Sequence, residues 1–312
     1  MGRSWGREGV RFMPSLLDRL VVGLVPAVPK PIVRHFSRPY IAGATIEEAT
    51  LQVRELNAGG AMATLDILGE HISRPDEADR ALSGYLALLD TIFAEKLDSN
   101  VSVKLTQLGM KFGLEECSQR IDALVAKAAG LGIFVRLDME DSSCTDDTLA
   151  IHRRLRERHA NVGVVIQAML RRSMDDIAKL AAEKANVRLC KGIYIEPREA
   201  AYQERAIINR SFTALLDMLL RGGCYVGIAT HDEQLVFEGL RLVRKHNLAR
   251  DQYEFQMLLG VDVRLRKILI DGGHRLRVYV PFGEHWYAYS TRRLKENPNL
   301  AGMIVRALFR RS

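Results

Sequence analysis

A closed (β/α)8 barrel is the fold this sequence predicts, and three observations carry the prediction. Eight short runs rich in apolar and β-branched residues recur at residues 61–68, 101–108, 133–139, 162–169, 187–194, 225–230, 253–259 and 277–280. Stretches with helical spacing separate them, among them DEADRALSGYLALLDTIFAEKL and AYQERAIINRSFTALLDMLLRGG. Glycines at Gly59-Gly60, Gly130 and Gly132, Gly222-Gly223 and Gly272-Gly273 stand just ahead of strands, where a helix must stop in a left-handed turn. The strand runs read as continuously apolar rather than alternating, which predicts parallel strands covered by helices. An open doubly wound sheet is the competing arrangement. No glycine-rich dinucleotide fingerprint follows a strand, and that counts against it.

Taken in order, the chain opens with residues 1–45, rich in Arg, Lys and Pro, with Leu16, Leu17, Leu20, Val21 and Leu24 at helical spacing. They predict a helical extension packed on a main domain that runs over residues 46–312. A basic amphipathic helix lying on a membrane surface is the alternative. Chemistry in a barrel gathers at the C-terminal ends of its strands. There the first run, TLDILGE, delivers Glu70, and the second, SVKLTQ, delivers Lys104. The third, RLDMED, brings Asp138 and Met139; the fourth brings Gln167. The fifth, VRLCKGIY, carries Arg188, Lys191, Gly192 and Tyr194, and the sixth, IATH, carries Thr230 and His231. The seventh offers Gln256 and Leu258, and the eighth Tyr279, with Pro281 and Gly283 expected to end that strand. Polar groups inside apolar strands are costly unless paired or used, so a set of them at one end reads as a site.

A helix is expected after strand 8, with Tyr289, Arg292, Arg293 and Glu296 along it. Steps of three and four residues put Tyr289, Arg292 and Glu296 on one face. Arg293 is rotated by one position, so the two guanidiniums can straddle a small anion such as a carboxylate. A solvated Arg/Glu helix face is the plain alternative.

Composition narrows the function classes. At 312 residues and 47% hydrophobic, the chain suits one large barrel. A net charge of +7 and a pI near 9.3 permit an anionic ligand, an acidic membrane surface or nucleic acid. Cys117, Cys144, Cys190 and Cys224 show neither C-x-x-C pairing nor zinc spacing, which predicts a reduced, cytoplasmic protein. No run of eighteen apolar residues exists, so no spanning helix is expected. There is no G-x-S-x-G, no H-E-x-x-H and no carboxylate cluster, so neither a serine nucleophile nor a metal is expected. The candidate set is rich in cations (Lys104, Arg188, Lys191, Arg292, Arg293) against few carboxylates (Glu70, Asp138, Glu296), which predicts an anionic ligand.

The pieces LDILGE, VSVKLTQLG, VRLDMED, VRLCKGIYIEP, ATH, YEFQMLLG and YVPFGEHWYAYSTRRLKEN, in that order, resemble the proline dehydrogenase family, specifically its short monofunctional bacterial members. The resemblance runs from about residue 45 to the end of the chain. It implies a distorted (β/α)8 barrel that binds FAD and oxidises L-proline to Δ1-pyrroline-5-carboxylate by hydride transfer to the flavin. Under it, Lys104, Arg292 and Arg293 bind the proline carboxylate, and Tyr279, Tyr289 and Leu258 pack around the ring. Asp138 and Arg188 are the polar residues nearest the chemistry, Arg188 directed at flavin N5. Met139, Gln167, Lys191, Gly192, Ile193, Thr230, His231 and Glu296 contact FAD, and Glu70 pairs with Arg292 as a gate. Whether Asp138 acts as the base for the substrate amine or only orients its neighbours stays open. Ile193, Ile195 and Cys190 depart from the family pattern and would reshape the flavin pocket.

The resemblance further implies electrons leaving to a membrane quinone and a product passed to a separate pyrroline-5-carboxylate dehydrogenase. Basic segments including Arg306, Arg310 and Arg311 then become candidate contacts with the inner face of the membrane. Two other readings compete. One is a Schiff-base lyase on the same barrel, using Lys104 or Lys191 with a pKa lowered by neighbouring cations. The other is a non-catalytic basic protein that binds nucleic acid or lipid; the dispersed basic residues argue against it, and no nucleic acid is expected.

Overall fold

The structure, a computed structural model, describes residue 33, residues 37–69 and 72–287, and residues 289 and 290. The chain divides into two compact units, Pro39–Glu284 and a second comprising Met1–Arg38 with His285–Ser312. The larger unit is a closed barrel of eight parallel strands in sequential order. Its strands are β1 (Met62–Ile67), β2 (Ser99–Val103), β3 (Val135–Leu137), β4 (Val162–Gln167), β5 (Val187–Cys190), β6 (Val226–Ala229), β7 (Tyr253–Leu258) and β8 (Leu276–Phe282). Helix α1 (Ile46–Ala58) precedes β1. Between successive strands lie α2 (Pro75–Ala94), α3 (Leu114–Gly130), α4 (Thr145–Arg156), α5 (Ser173–Ala182), α6 (Arg205–Arg221), α7 (Glu233–Lys245) and α8 (Val263–Asp271). The barrel closes where β8 pairs with β1, from Met62 opposite Arg277 to Ile67 opposite Phe282.

Local sequence accounts for the helix boundaries. Thr45 and Glu48 form a capping box that starts α1, and Pro75 sits at the first turn of α2. Gly60, Gly132, Gly223 and Gly273 adopt φ of 82°, 69°, 75° and 74°, the left-handed stops expected of them. Elsewhere the same stop falls on residues with side chains: Lys96 at 51°, Lys184 at 48° and Asn247 at 52°. A lysine there carries a steric cost that glycine escapes. Lys184→Gly is therefore expected to stabilise the fold by about 0.5–1 kcal/mol, read as a rise in the urea midpoint.

The strands differ from the sequence reading in pattern and in length. They are not continuously apolar. Their outward positions, such as Ala63, Leu65, Val101, Val103, Val135, Leu137, Val164 and Ile166, join the helices in one buried apolar core. Many inward positions along the strands and directly after them are polar and buried: Thr64, Asp66, Ser102, Lys104, Arg136, Asp138, Arg188, Glu254, Gln256 and Arg277. A half-polar interior restores the two-residue period of a strand. Large inward side chains need small neighbours, and a Cβ at Gly163 would lie 2.5 Å from both Arg136 Nη1 and the Asn186 carbonyl.

Strand β2 ends at Val103 rather than residue 108, because the chain turns at once, with Gln107 N–H on the Lys104 carbonyl (3.1 Å) and Gly109 at φ 91°. Likewise β5 ends at Cys190, before Gly192 at φ 102°. Conversely, β8 runs through Pro281. The Pro281 carbonyl accepts from Ala42 N–H (3.0 Å), so the position where an N–H would stand faces away from β1 and beyond the end of β7. No ladder bond is lost there. The helical spacing at Leu16–Leu24 and the basic residues near the C-terminus lie outside the described residues. Among the described residues no helix is long and apolar enough to cross a membrane.

Candidate active site

Inward side chains of β1, β5 and β8, with the residues that directly follow β2 and β3, form one charged cluster. Lys104 Nζ donates to both oxygens of Asp66, at 2.8 and 2.9 Å, and lies 3.4 Å from the Tyr279 hydroxyl and 3.9 Å from Asp138 Oδ2. Arg188 Nη1 donates to Asp138 Oδ1 at 2.7 Å, while the Tyr279 hydroxyl donates to Asp138 Oδ2, also at 2.7 Å. β5 is two strands from β3, so the Arg188–Asp138 bond crosses the barrel interior. The Arg188 guanidinium lies over the Tyr279 ring, 5.3 Å from its centre. Four of the residues singled out in the sequence, Lys104, Asp138, Arg188 and Tyr279, thus meet in one network.

Burial sets the electrostatics. It pushes the Tyr279 hydroxyl far above its ordinary value, with Asp138 beside it acting in the same direction, so the phenol stays a donor. Burial also pushes the Asp66 carboxyl up, against the pull of Lys104. Asp66 was absent from the sequence candidates, and among the described residues it is the nearest partner of Lys104. The signal was available, since Thr64 and Asp66 keep the two-residue step that also places Ser102 and Lys104 inside.

A second layer lies deeper in the barrel. Arg188 Nε donates to Gln256 Oε1; Gln256 Nε2 donates to Glu254 Oε1 at 2.5 Å; and Arg277 holds Glu254 through Nε at 2.8 Å and Nη2 at 3.2 Å. Tyr225 adds a hydroxyl donor to Glu254 at 2.9 Å. Burial alone would raise the Glu254 carboxyl, but Arg277 and these donors outweigh it and hold it at about 2.

Around the rim, Gln167 at the end of β4 donates to the carbonyls of Met139 and Glu140, at 3.1 and 3.0 Å. Lys191 reaches Asp232 Oδ2 at 3.0 Å, which Arg205 shares at 2.8 Å. Burial would lift the Asp232 carboxyl, yet these cations keep it well below the usual carboxylate range. The Thr230 hydroxyl accepts from Asp232 N–H (3.1 Å). His231 Nε2 accepts from Leu258 N–H (2.7 Å), which places the imidazole proton on Nδ1. Gly192 permits a close approach, since a Cβ there would lie 2.5 Å from the Met169 side chain. Tyr194 packs on Met169, Leu170 and Ala201, whereas Ile193 and Ile195 are exposed.

Tyr289 is described but belongs to the other compact unit. Glu70, Arg292, Arg293 and Glu296 lie outside the described residues. The expected cation surplus is not found among the described residues of the site. Lys104, Arg188 and Lys191 each face a carboxylate, because Asp66 and Asp232 supply charges the sequence reading did not count.

Among the buried polar atoms with no partner among the described residues are the donor Arg188 Nη2 on β5 and the acceptor Gln167 Oε1 on the neighbouring β4. Buried polar groups are rarely left so, and an unmet donor and an unmet acceptor on adjoining strands suit a ligand with a polar edge.

Comparison with known proteins decides the family. The proline dehydrogenase family model matches residues 49–305. The chain belongs to the proline dehydrogenase family. It is 35% identical over 275 residues to proline dehydrogenase 1 of Bacillus subtilis subsp. natto, covering 88% of this chain and 91% of that protein. With the proline dehydrogenase of Deinococcus radiodurans it shares 35% identity over 278 residues, 87% of this chain and 89% of that one. Among solved structures, proline utilization A from Bdellovibrio bacteriovorus, inactivated by N-propargylglycine, superposes with a TM-score of 0.80 at 26% identity. That match covers 91% of this chain and 36% of the longer protein, so the likeness is to one part of it.

Proline dehydrogenase membership also disposes of the Schiff-base reading. That reading required cations around a lysine. Both lysines are instead bonded to carboxylates, and an ammonium held by two oxygens of Asp66 is no nucleophilic amine.

Proposed function

We propose that the chain oxidises L-proline to Δ1-pyrroline-5-carboxylate on a bound FAD. The Asp138-centred network at the barrel mouth supports this reading most directly, because it leaves one buried guanidinium nitrogen, Arg188 Nη2, to serve a ligand. FAD, when bound, supplies the acceptor for the hydride from the ring carbon next to the proline nitrogen. Such a transfer needs orientation and electrostatics from the protein rather than a nucleophile.

Arg188 and Gln167 would hold the flavin's polar edge, and Met139, Lys191, Gly192, Ile193, Thr230 and His231 would line its cradle. The neutral His231 and the paired Lys191 suit that task. Tyr279 and Leu258 offer surfaces for the proline ring, with Tyr289 assigned to its far side. Lys104 brings a positive charge to the carboxylate, but Asp66 already neutralises much of it. On the family resemblance alone, Arg292 and Arg293 would also bind the carboxylate, with Glu70 as the gate partner of Arg292 and Glu296 toward the FAD. Tyr279 and Asp138 keep a hydroxyl proton between them, so Asp138 acts in orienting Arg188 and Tyr279 rather than as an unencumbered base.

The remaining parts of the reading rest on the family resemblance. Electrons would pass to a membrane quinone, from a cytoplasmic protein that touches the membrane's inner face. The product would go to a separate pyrroline-5-carboxylate dehydrogenase.

The test is the visible spectrum of the purified protein, loaded with FAD and titrated with L-proline without oxygen. Flavin bands that bleach are the expected result. A protein that takes up no FAD, or whose bands persist with L-proline, contradicts the proposal.

A further inference from the structure

Arg188 is held from below as well as from the side. Its Nη1 is fixed by Asp138 at 2.7 Å and its Nε by Gln256 Oε1. Two anchored nitrogens set the plane of a guanidinium, and so set where Nη2 points. Gln256 is buried, and its amide can lie only one way round. The carbonyl faces the cation of Arg188 and the NH2 faces Glu254 Oε1 at 2.5 Å; the flipped amide would set like partners against each other. β6 makes room for it, since a Cβ at Gly227 would overlap the Gln256 side chain. Glu254 is itself immobilised by Arg277 at 2.8 Å.

We propose that Gln256 is a positioning residue for Arg188: a neutral amide spacer that transmits the fixed Glu254–Arg277 pair to the guanidinium without neutralising it. The inference rests on the reading of Arg188 as the cation beside the reacting end of the flavin. A carboxylate bonded directly to Arg188 Nε would cancel the charge that Asp138 only partly offsets. An apolar residue would leave the guanidinium free to tilt. Glutamine satisfies Nε, adds no charge, and is itself fixed by an anion whose charge Arg277 balances.

The test uses the FAD-loaded full chain carrying Gln256→Met. Its readouts are the affinity of the bound flavin for sulfite and the split between kcat and KM for L-proline. Sulfite adds to flavin N5 and leaves negative charge on the ring, so its affinity reports the positive field there. Residues that orient the ligands of a metal commonly matter by about 10–100-fold, and a residue that orients Arg188 is expected to act on the same scale. We expect kcat and sulfite affinity to fall by about that much, with KM for L-proline near wild type.

Gln256→Ser, which admits water to satisfy both neighbours without fixing the plane, gives a second folded variant with the same expectation if Gln256→Met does not accumulate. A folded, flavin-loaded variant with wild-type sulfite affinity and kcat, or one altered in KM alone, overturns the proposal. Failure of the functional reading looks different: the wild-type flavin itself would not bleach with L-proline.

Discussion

Asp138→Ala is expected to lower kcat/KM for L-proline by about 100–1000-fold, the usual size of effect when a preorganised electrostatic partner is removed from a buried site. Asp138 is the only described residue bonded to both Arg188 and Tyr279, at 2.7 Å each. Alanine would leave Lys104 and Arg188, two buried cations, with Asp66 as the one carboxylate of the cluster among the described residues. The guanidinium would lose one of its two anchors, and the Tyr279 hydroxyl its acceptor. Asp138→Asn should do less harm than alanine, because its carbonyl oxygen still accepts from Arg188 Nη1, but it removes the same charge and stays well below wild type. Tyr279→Phe should fall between wild type and Asp138→Ala, since it deletes one bond and leaves both cations paired. Anaerobic stopped-flow measurement of flavin reduction reads all three. An alanine variant reduced at the wild-type rate would remove Asp138 from the chemistry.

How much of this was legible in the sequence follows from period. The eightfold alternation of strand and helix needed only apolar content and glycine stops, so barrel closure could be read before any coordinate. Lys104, Asp138, Arg188 and Tyr279 were legible too, each as a polar residue late in an apolar strand. Asp66 was not, because LDILGE was read to its last residue, Glu70, instead of in steps of two. Gln256 of the deeper layer was legible in the same way as Lys104, and the two-residue period is what picks out the rest. VSVK, VRLD, YEFQM and RVYV alternate strictly, and every second residue (Ser102, Arg136, Glu254, Arg277) turns inward. Reading those runs as continuously apolar gave the correct parallel sheet for an incomplete reason.

Other features were beyond the sequence because they depend on neighbours far along the chain. Gly163 is glycine because Arg136, on the adjacent strand, fills its space; no local pattern reports that. Pro281 reads locally as a strand breaker, and only the early end of β7 makes it harmless. The charge balance of the site required knowing that Asp66 and Asp232 face Lys104 and Lys191 across 38 and 41 residues of chain. The stretch carrying Arg292 and Arg293 is the most recognisable in the sequence, and those two residues lie outside the described residues.

The largest effect on stability is expected at the floor of the same network. Glu254→Leu removes the only described carboxylate bonded to Arg277, leaving that buried guanidinium with the Ala63 carbonyl (2.6 Å) and the Met62 sulfur (3.2 Å). Breaking a buried pair from one side typically costs about 3–5 kcal/mol, because a charge remains in a medium that cannot solvate it. Arg277→Met should cost a similar amount by stranding Glu254. The double variant should recover most of the loss, since a desolvated pair and a well-packed apolar pair are often close in energy. A double-mutant cycle by urea denaturation should thus give a coupling of several kcal/mol; additive single losses would mean that the pair is not an energetic unit. The pH dependence has a definite sign. Glu254 is held at about 2 against an ordinary 4.5, so its contribution is complete above about 4.5 and is lost as the pH falls through about 2. The shift corresponds to about 3 kcal/mol. Acid should therefore destabilise the wild type more than the double variant, and the gap between them should narrow or reverse toward pH 2. An unchanged gap from neutral pH down to the acid limit would place the stabilising charge elsewhere in the barrel.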